Sequence, residues 1–245
     1  MREVAIPCTE CWLRPRPYFR PFSESELSFI MLMKNGHITL AAKSHVIEIG
    51  QVGGSLFTLY EGWAIRYKEL PDKSRQILDV LLPGDFIGME SHVLGSTEHS
   101  VRALTEVSLC VLRGRRLTQL FEGYPEWGLS LLKWLVEGQR RDDNWRAILG
   151  RLDAAQRMGF LFLEIFDRLK QREMAGNNSC PFPLGRQHLA DYLGLSRVHV
   201  SRVLSDFAAR DLAHVSQGTL YISNRAKLVD IAGYQGTTPG PRVLL

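Results

Sequence analysis

The sequence of 245 residues predicts an α+β protein, with a β-roll, a long helix and a winged helix-turn-helix in that order. Three observations predict it: short β-branched and aromatic runs broken by glycine and proline, a long helical repeat after them, and a helix-turn-helix pattern further on. A chain of this length has room for one large or two modest domains. The expected segments are 1–22 (cysteine-containing segment), 23–123 (roll), 124–152 (long helix), 153–232 (winged helix-turn-helix) and 233–245 (flexible tail).

The bulk composition is that of an ordinary globular protein, with 45% hydrophobic and 23% charged residues. The formal net charge of +4 is mildly basic, so a polyanionic partner is tolerated without being required. No apolar run reaches the length of a membrane span, and the first residues lack the apolar core of a signal peptide. A cytoplasmic location is therefore expected, where four cysteines favour metal or redox chemistry over disulfides.

The first segment combines Cys8 and Cys11 with four prolines, which exclude a regular helix there. A short amphipathic helix then begins after Ser23, because Ser23 followed three residues later by Glu26 forms a capping box. From 37 to 113, short runs of strand-forming residues alternate with turn residues. This alternation predicts an antiparallel roll or barrel.

A helical period replaces the strand pattern after Tyr124, with alternating steps of three and four residues from 128 to 152. The repeat predicts one long helix whose seam joins it to a second copy of the chain, although a helix packed on its own roll gives the same period. In such a seam Asp142 either repels its symmetry mate, so that Asp142→Ala tightens dimerisation, or is solvated by a small rotation of the helix. The predicted seam residues are Leu131, Leu135, Asp142, Trp145 and Leu149.

The segment from 184 to 207 has the pattern of two short helices joined by a tight turn. Gly194 ends the first helix in a left-handed cap, and Ser196 caps the second. Polar and basic residues remain on the outer face of the second helix, which is the face that enters the major groove of DNA in helix-turn-helix proteins. A solvated helical hairpin is the alternative. The predicted DNA-contacting residues are Gln187, Ser196, Arg197, Val198, His199, Ser201 and Arg202.

This order of a roll, a long helix and a winged helix-turn-helix resembles the CRP/FNR superfamily of bacterial transcription regulators. The resemblance covers residues 23 to 233 and is most specific at Leu82–Gly88 in the roll and Gln187–Arg202 in the helix-turn-helix. It implies a cyclic-nucleotide-binding-like roll built as a double-stranded β-helix, and a homodimer on a palindromic DNA site. It further implies RNA polymerase as a partner and no enzymatic activity.

Two positions in the roll depart from the superfamily members that bind cyclic AMP. Those members resemble this sequence around Gly88, but they carry Glu where Met89 stands and Arg-Ser where His99-Ser100 stands. A thioether is a poor acceptor for ribose hydroxyls, and a mostly neutral imidazole replaces a bidentate guanidinium poorly. Cyclic AMP is therefore disfavoured as the effector.

The cysteines resemble those of the oxygen-sensing branch, typified by the fumarate and nitrate reduction regulator, in which three N-terminal cysteines and one roll cysteine ligate a [4Fe–4S] cluster. The resemblance places Cys8, Cys11 and Cys110 as ligands of an iron–sulfur cluster, whereas the third N-terminal position falls near Phe19. Either a non-cysteine ligand completes a cluster, or another metal is bound, or the thiols sense oxidants directly. Cys110 as a small buried strand residue is a further alternative. Cys180 lies too far along the chain to be assumed a substitute.

The second helix of the helix-turn-helix, here called the reader helix, departs from the family at Val198. The family typically carries a Glu there that accepts a hydrogen bond from cytosine. Valine offers only apolar contact, for example to a thymine methyl group, while Arg202 matches the family's arginine. The half-site is therefore expected to differ from the family's TTGAT or TGTGA at the base pair that the Glu reads.

Three hypotheses for the function follow. The first is a dimeric DNA-binding regulator that senses oxygen or redox state through its cysteines. The second is a regulator of the same architecture without a metal, which responds to a small molecule or is controlled by its abundance. The third is a cupin-like metalloenzyme with an appended domain, but its histidines lack tight ligand spacing. Those histidines are His37, His45, His92 and His99.

Overall fold

A computed structural model describes residues 6–53, 55–112, 117–236 and 242–244 of the chain. They belong to two compact units, Met1–Leu135 with Pro241–Leu245 and Val136–Gly240. The first unit contains a 3-10 helix (Cys8–Glu10), α1 (Glu24–Met33), β1 (Lys34–Leu40), β2 (His45–Ile47), β3 (Leu56–Glu61), β4 (Ala64–Glu69), β5 (Arg75–Leu81), β6 (Phe86–Ile87), α2 (Met89–Leu94), β7 (Ser100–Ala103), β8 (Val107–Leu112) and α3 (Leu117–Gly123). The chain continues with α4 (Pro125–Arg151), α5 (Ala154–Gln171), β9 (Ser179–Pro181), α6 (Arg186–Leu193), α7 (Arg197–Ala209), β10 (Ala213–Ser216), β11 (Thr219–Ile222) and α8 (Arg225–Ala232).

The predicted roll is confirmed as two four-stranded antiparallel sheets, with strand orders β1-β8-β3-β6 and β2-β7-β4-β5. Its core contains alternate strand residues such as Leu59, Ala64 and Leu109, which are fully buried. Alternation puts every second side chain of a strand on the other face, so residues between these core positions face away from the roll interior. The structure therefore has an outer sheet face on which further segments can pack.

The start of α1 is fixed by the predicted capping box. Ser23 Oγ accepts a hydrogen bond from the Glu26 backbone N–H, and Glu26 Oε2 accepts one from the Ser23 backbone N–H at 2.7 Å. The Glu26 carboxylate also accepts hydrogen bonds from the Arg20 guanidinium and from the Trp127 indole N–H, the latter at 2.6 Å. Burial raises the pKa of Glu26, but these hydrogen bonds outweigh it and lower the pKa from 4.5 to about 2.

The turn between β5 and β6 brings the N-terminal segment against the roll. Asp85 Oδ2 accepts a hydrogen bond from the Leu82 backbone N–H at 2.9 Å, which closes the turn. Gly84 has a φ of +93°, and a Cβ at this position would lie 2.2 Å from Phe19 Cζ. Glycine is thus required here both by the backbone conformation and by the close approach of the Phe19 ring.

The long helix α4 packs on different neighbours along its length. Near its start Trp127, Leu131 and Trp134 join a hydrophobic cluster with α1. Further along, Trp145 is buried, its ring lies 4.8 Å from that of Tyr192, and its indole N–H donates to Glu164 Oε2 at 2.8 Å. Four large apolar side chains of α4 remain about half exposed. They are Leu129, Leu132, Leu135 and Val136.

These contacts correct the predicted seam at Trp145, which is buried within the chain, whereas Leu131 is half-buried and its place in a seam stays a prediction. A heptad period predicts the spacing of apolar residues but not which side of the helix meets a partner. In α4 one apolar side packs within the chain, and the exposed apolar side is offset from it by about one residue. Leu135 is exposed, while Asp142 and Leu149 are half-buried, and their place in a seam stays a prediction.

The second unit is centred on α5, which the Asp153–Gln156 capping box begins. Phe162 is fully buried on α5, with ring centroids 5.3 Å from Phe182 and 6.3 Å from Phe207. β10, β11 and β9 form an antiparallel sheet, and the β10–β11 turn at 217–218 has positive φ at both residues. The predicted wing is thus a hairpin with a third strand beside it, in which Cys180 is buried.

The flexible tail predicted for 233–245 is wrong at residues 242–244. Arg242 exchanges backbone hydrogen bonds with Tyr18 and Arg20, both at 2.8 Å, and Val243 and Leu244 are buried in the first unit. Composition predicted disorder from glycine and proline, but the two apolar side chains find a surface built by the N-terminal segment. Residues 237–241 and 245 lie outside the described part of the chain. No helix among the described residues is long and apolar enough to cross a membrane.

Candidate nucleic-acid interface and thiol site

The helix pair α6–α7 has the geometry that the sequence predicted. Gly194 adopts the left-handed conformation (φ +64°, ψ +41°) and ends α6. Ser196 then caps α7, since its Oγ accepts a hydrogen bond from the His199 backbone N–H at 3.2 Å. Leu193 and Val200 are fully buried between the helices, so the angle of the pair is fixed by packing as well as by the caps.

The outer face of α7 presents most of the predicted DNA-contacting residues to solvent. Arg197, Val198, His199 and Arg202 are exposed, and Val198 has 62% of its surface accessible. Ser196 is exposed at the helix start, where its hydroxyl already serves as the cap. This is an N-terminal helix face with two arginines and a free apolar side chain, suited to a major groove.

Two of the predicted contact residues have partners within the chain. The Ser201 hydroxyl donates to the Arg197 carbonyl at 2.9 Å, so its remaining capacity is that of an acceptor. The Gln187 side-chain amide on α6 donates to Asp191 Oδ1 at 2.6 Å and is exposed. The contact of both side chains with DNA stays a prediction.

Cys110 lies on β8 directly opposite His37 on β1, with Thr58 of β3 on its other side. The Cys110 Sγ is 3.0 Å from His37 Nε2, a distance within the hydrogen-bonding range for sulfur. His37 is almost fully buried, and its ring centroid lies 5.1 Å from that of Tyr60. This pair could not be predicted from the sequence, because 73 residues separate its members.

The N-terminal cysteines cover this part of the roll. Cys8 is buried in the 3-10 helix, Cys11 follows it, and the Arg14 side chain donates to the Cys8 carbonyl at 3.1 Å. Both cysteines line one cavity of about 20 Å³ together with Cys110 and His37. The structure therefore brings together the three cysteines that the sequence singled out, and adds a histidine to them.

Phe19, at the position nearest the missing third cysteine, is a packing residue. It is buried over Gly84, in a cluster with Leu13 and Tyr60. A phenyl ring cannot ligate a metal, and its burial leaves no space there for another side chain. Cys180 lies in the sheet of the second unit and is not among the residues lining the cavity.

Burial keeps the roll thiol and its histidine neutral. It raises the pKa of Cys110 to about 12, against an opposing effect of Lys34. Burial, together with the Lys34 charge, lowers the pKa of His37 to about 4. A thiol with so high a pKa is a poor nucleophile, so Cys110 does not have the character of a directly reactive redox thiol.

The described residues contain no preassembled group of three or more His, Cys, Asp or Glu side chains set to hold a metal ion. This also holds for the histidines of the metalloenzyme hypothesis. His45 contacts Glu48 at 2.7 Å and Tyr67, and His99 pairs with Glu90 at 2.7 Å.

Met89 and His99 are the two positions at which the sequence departs from members that bind cyclic AMP. Burial and the Arg66 charge lower the pKa of His99, and the Glu90 carboxylate opposes them. The imidazole contacts that carboxylate at 2.7 Å, so its nitrogen already has an anionic partner. A second anion such as a cyclic phosphate would compete with Glu90, which supports the expectation that cyclic AMP is disfavoured.

The antiparallel roll and the capped reader helix define a DNA-binding regulator with a sensory domain. Residues 37–124 match the model of the cyclic nucleotide-binding domain, and residues 156–231 match that of the Crp-like helix-turn-helix domain. The chain belongs to the CRP/FNR superfamily of transcription regulators.

Similar proteins agree with this assignment. The transcriptional activator protein FnrL of Cereibacter sphaeroides is 28% identical over 231 residues, covering 92% of each chain. The nitrogen fixation regulation protein FixK of Bradyrhizobium diazoefficiens is 26% identical over 226 residues, covering 92% of this chain and 93% of the relative. The structure of FixK2 from Bradyrhizobium japonicum superposes with a TM-score of 0.73 at 23% identity, covering 82% of this chain and 98% of that one. These are regulators rather than enzymes, and the metalloenzyme hypothesis finds no support among them.

Proposed function

We propose that the protein is a homodimeric regulator that binds a palindromic DNA site and responds to oxygen or redox state through Cys8, Cys11 and Cys110. The observation that carries the sensing role is the convergence of these three cysteines on one cavity, although Cys110 lies about a hundred residues beyond the other two. The names of relatives support it: one is the fumarate and nitrate reduction regulatory protein of Vibrio cholerae, 22% identical over 230 residues. We place this activity in the cytoplasm, with RNA polymerase as a further partner.

A metal is the simplest use of such a site. Thiolates ligate iron–sulfur clusters and single metal ions, and a bound centre supplies reactivity toward oxygen that buried neutral thiols lack. Cys8, Cys11 and Cys110 would hold it. The residues fit the chemistry, because all three cysteines line the same cavity and the thiolate is a ligand for such centres.

The test begins with anaerobic purification, iron and sulfide assays, an absorption spectrum, and DNA binding measured before and after exposure to air. We expect bound metal, detected by metal analysis or by absorption, that is lost or altered in air, with a parallel change in DNA affinity. Cys8→Ser and Cys110→Ser should abolish both, whereas Cys180→Ser is the matched control because that buried thiol lies in the second unit. DNA binding that is the same with and without air, in all four proteins, would refute the redox role.

We propose that the dimer forms through the exposed face of α4, with a second copy of this chain as the occupant. Leu129, Leu132 and Val136 recur at steps of three and four residues and are each about half exposed, as in a two-helix seam. Leu132→Asp should therefore give a monomer in sedimentation experiments, because it buries a charge at the centre of the seam. Leu70→Asp, at an equally exposed leucine on the β4–β5 connection, should remain a dimer. A Leu132→Asp protein that is still a dimer would show that the interface does not include this face of α4.

We propose that α7 reads the DNA half-site, with Arg202 and Val198 as principal contacts. Selection from random DNA supplies the site, and Arg202→Ala should weaken binding to it by about 5- to 150-fold, the range for loss of one good base contact. Arg210→Ala is the control, since Arg210 ends α7 and pairs with Asp206. Val198→Glu should shift the selected half-site toward the usual family sequence. An unchanged half-site in that variant would exclude Val198 from base reading.

A regulator without a metal is the second candidate. Phe19 in place of a third N-terminal cysteine favours it, since the cluster ligand set of the family is incomplete. A colourless protein, free of iron and other metals, that still binds its DNA site would decide for this candidate. The search for the signal would then move to a small-molecule effector.

A further inference from the structure

We propose that His37 is the fourth ligand of a single tetrahedral metal ion held by Cys8, Cys11 and Cys110. This proposal rests on the thiol site of the proposed function and names its missing ligand and its metal class. The class is a borderline-soft divalent ion, zinc or iron(II), bound by three thiolates and one imidazole.

Strand pairing puts His37 where a ligand is needed. β1 and β8 pair in a register that sets His37 opposite Cys110, so the two side chains leave the sheet on the same face. Their nearest atoms, Nε2 and Sγ, are 3.0 Å apart, and both residues line the cavity that Cys8 and Cys11 close from the other side. Four residues with metal-binding side chains thus line one small cavity.

The burial of His37 needs an explanation that packing does not provide. Only 2% of its surface is exposed, and its Nδ1 has no hydrogen-bond partner among the described residues. A buried imidazole whose hydrogen bonding is incomplete is commonly retained at a functional site, and Nε2, the nitrogen beside Cys110 Sγ, is the one that would ligate the ion.

The size of the cavity favours one ion over a cluster. Its volume of about 20 Å³ is close to what a single water molecule requires, whereas a [4Fe–4S] centre contains eight atoms. Three thiolates around a divalent ion leave one net negative charge. Lys34 and Arg14 also line the cavity and offset that charge.

Metal binding would close the site further, because the four side chains do not yet form a coordination set. The 3-10 helix with Cys8 and the following Cys11 would move onto Cys110 and His37, as expected where binding and local folding are coupled. Each thiol gives up its proton and the imidazole gives none. Binding of one divalent ion should therefore release up to three protons.

The experiment uses the full-length, metal-free protein under anaerobic conditions, titrated with Co²⁺ and then Zn²⁺. We expect one Co²⁺ per chain with the intense visible bands of tetrahedral thiolate coordination, displaced by Zn²⁺ with release of up to three protons. His37→Asn should weaken binding by more than the 10- to 100-fold that loss of an outer-shell partner costs. His45→Asn, at a half-exposed histidine of the same roll, should leave the affinity unchanged.

His37→Cys separates ligation from folding. A cysteine can replace the imidazole as a ligand, so this variant should bind Co²⁺ with a sulfur-richer spectrum, whereas a purely structural histidine would not be rescued by it. Unchanged Co²⁺ affinity in His37→Asn, with binding lost in Cys8→Ser, overturns the role of His37 but leaves the thiol site standing. About four irons and four sulfides per chain in the anaerobic protein overturn the single ion. Loss of the air response of DNA binding in the cysteine variants tests the proposed function separately.

Discussion

The DNA reader (the helix-turn-helix of the second unit) and the thiol site of the first unit are assembled from different kinds of contact. The reader is local: Gly194 and Ser196 fix two helices that are neighbours in sequence, around a core on α5. The thiol site is non-local, since it depends on the register of β1 with β8 and on an irregular segment laid over them. A local motif can be predicted from residues that are close in sequence, whereas a non-local site forms only when the sheet has formed.

The largest effect is expected in the reader core. Phe162→Ala removes a fully buried ring that packs on Phe182 and Phe207, and should lower the free energy of unfolding of the second unit by about 3–5 kcal/mol. Urea unfolding followed by far-ultraviolet circular dichroism measures that loss, because this unit is largely helical. Phe162→Leu keeps most of the apolar contact and should cost less. Equal losses in the two variants would mean that the core collapses around the gap.

The next effect concerns the joint of α1 with α4. Because the folded pKa of Glu26 lies near 2 and its ordinary value is 4.5, its ionised form stabilises the first unit above pH 4.5. That contribution, about 3 kcal/mol as an upper bound, should be lost as the pH falls from 4.5 toward 2. Glu26→Gln should flatten this pH dependence in acid titrations of stability. Glu24→Gln, exposed in the same helical turn, should preserve the dependence; a flattened profile in that control would contradict the assignment.

A smaller effect on stability is expected where the N-terminal segment packs on the turn between β5 and β6. Gly84→Ala forces a methyl group onto the Phe19 ring, which should cost about 1–3 kcal/mol beyond the backbone strain. Gly95→Ala isolates the strain alone, since Gly95 has the same φ of +93° and no atom within 4 Å of the added carbon. The difference between the two variants in thermal unfolding measures the Phe19 contact. No difference would show that the ring is displaced freely.

The smallest effect is expected at the surface of the reader. Arg225 Nη2 lies 2.9 Å from both carboxylate oxygens of Asp167, but the arginine is well exposed. A double-mutant cycle with Asp167→Asn and Arg225→Gln should give a coupling of about 0.2–1 kcal/mol, reduced by salt. A coupling comparable with the Phe162→Ala loss would mean that the reader depends on surface charges as well as on its core.

Much of the fold could be predicted from the sequence because its signals are local. The capping box at Ser23 and Glu26, the helix from Pro125 to Arg151, and the cap at Gly194 each involve residues a few positions apart. The same reasoning failed for Trp145, whose partner Tyr192 lies 47 positions further along the chain. A helical period gives the spacing of apolar residues, and only the packed structure shows which face they cover.

The candidate thiol site was predicted in part, for the same reason. Cys8 and Cys11 form a recognisable pair, and Cys110 was added from a family resemblance. His37 could not be connected with them, because the pairing register of β1 with β8 decides which residue faces Cys110. That register cannot be predicted from the sequence of either strand alone.

The placement of residues 242–244 against the N-terminal segment bears on how the protein is made. Leu244 lines the cavity of the cysteines, yet the ribosome adds it only after the whole reader has been synthesised. The nascent roll therefore emerges with one wall of the cavity still missing, and a metal acquired during translation would meet an open site. A fragment cut after residue 135 would lack Leu244 permanently, so the complete lining of the cavity forms only in a chain that extends beyond the second unit.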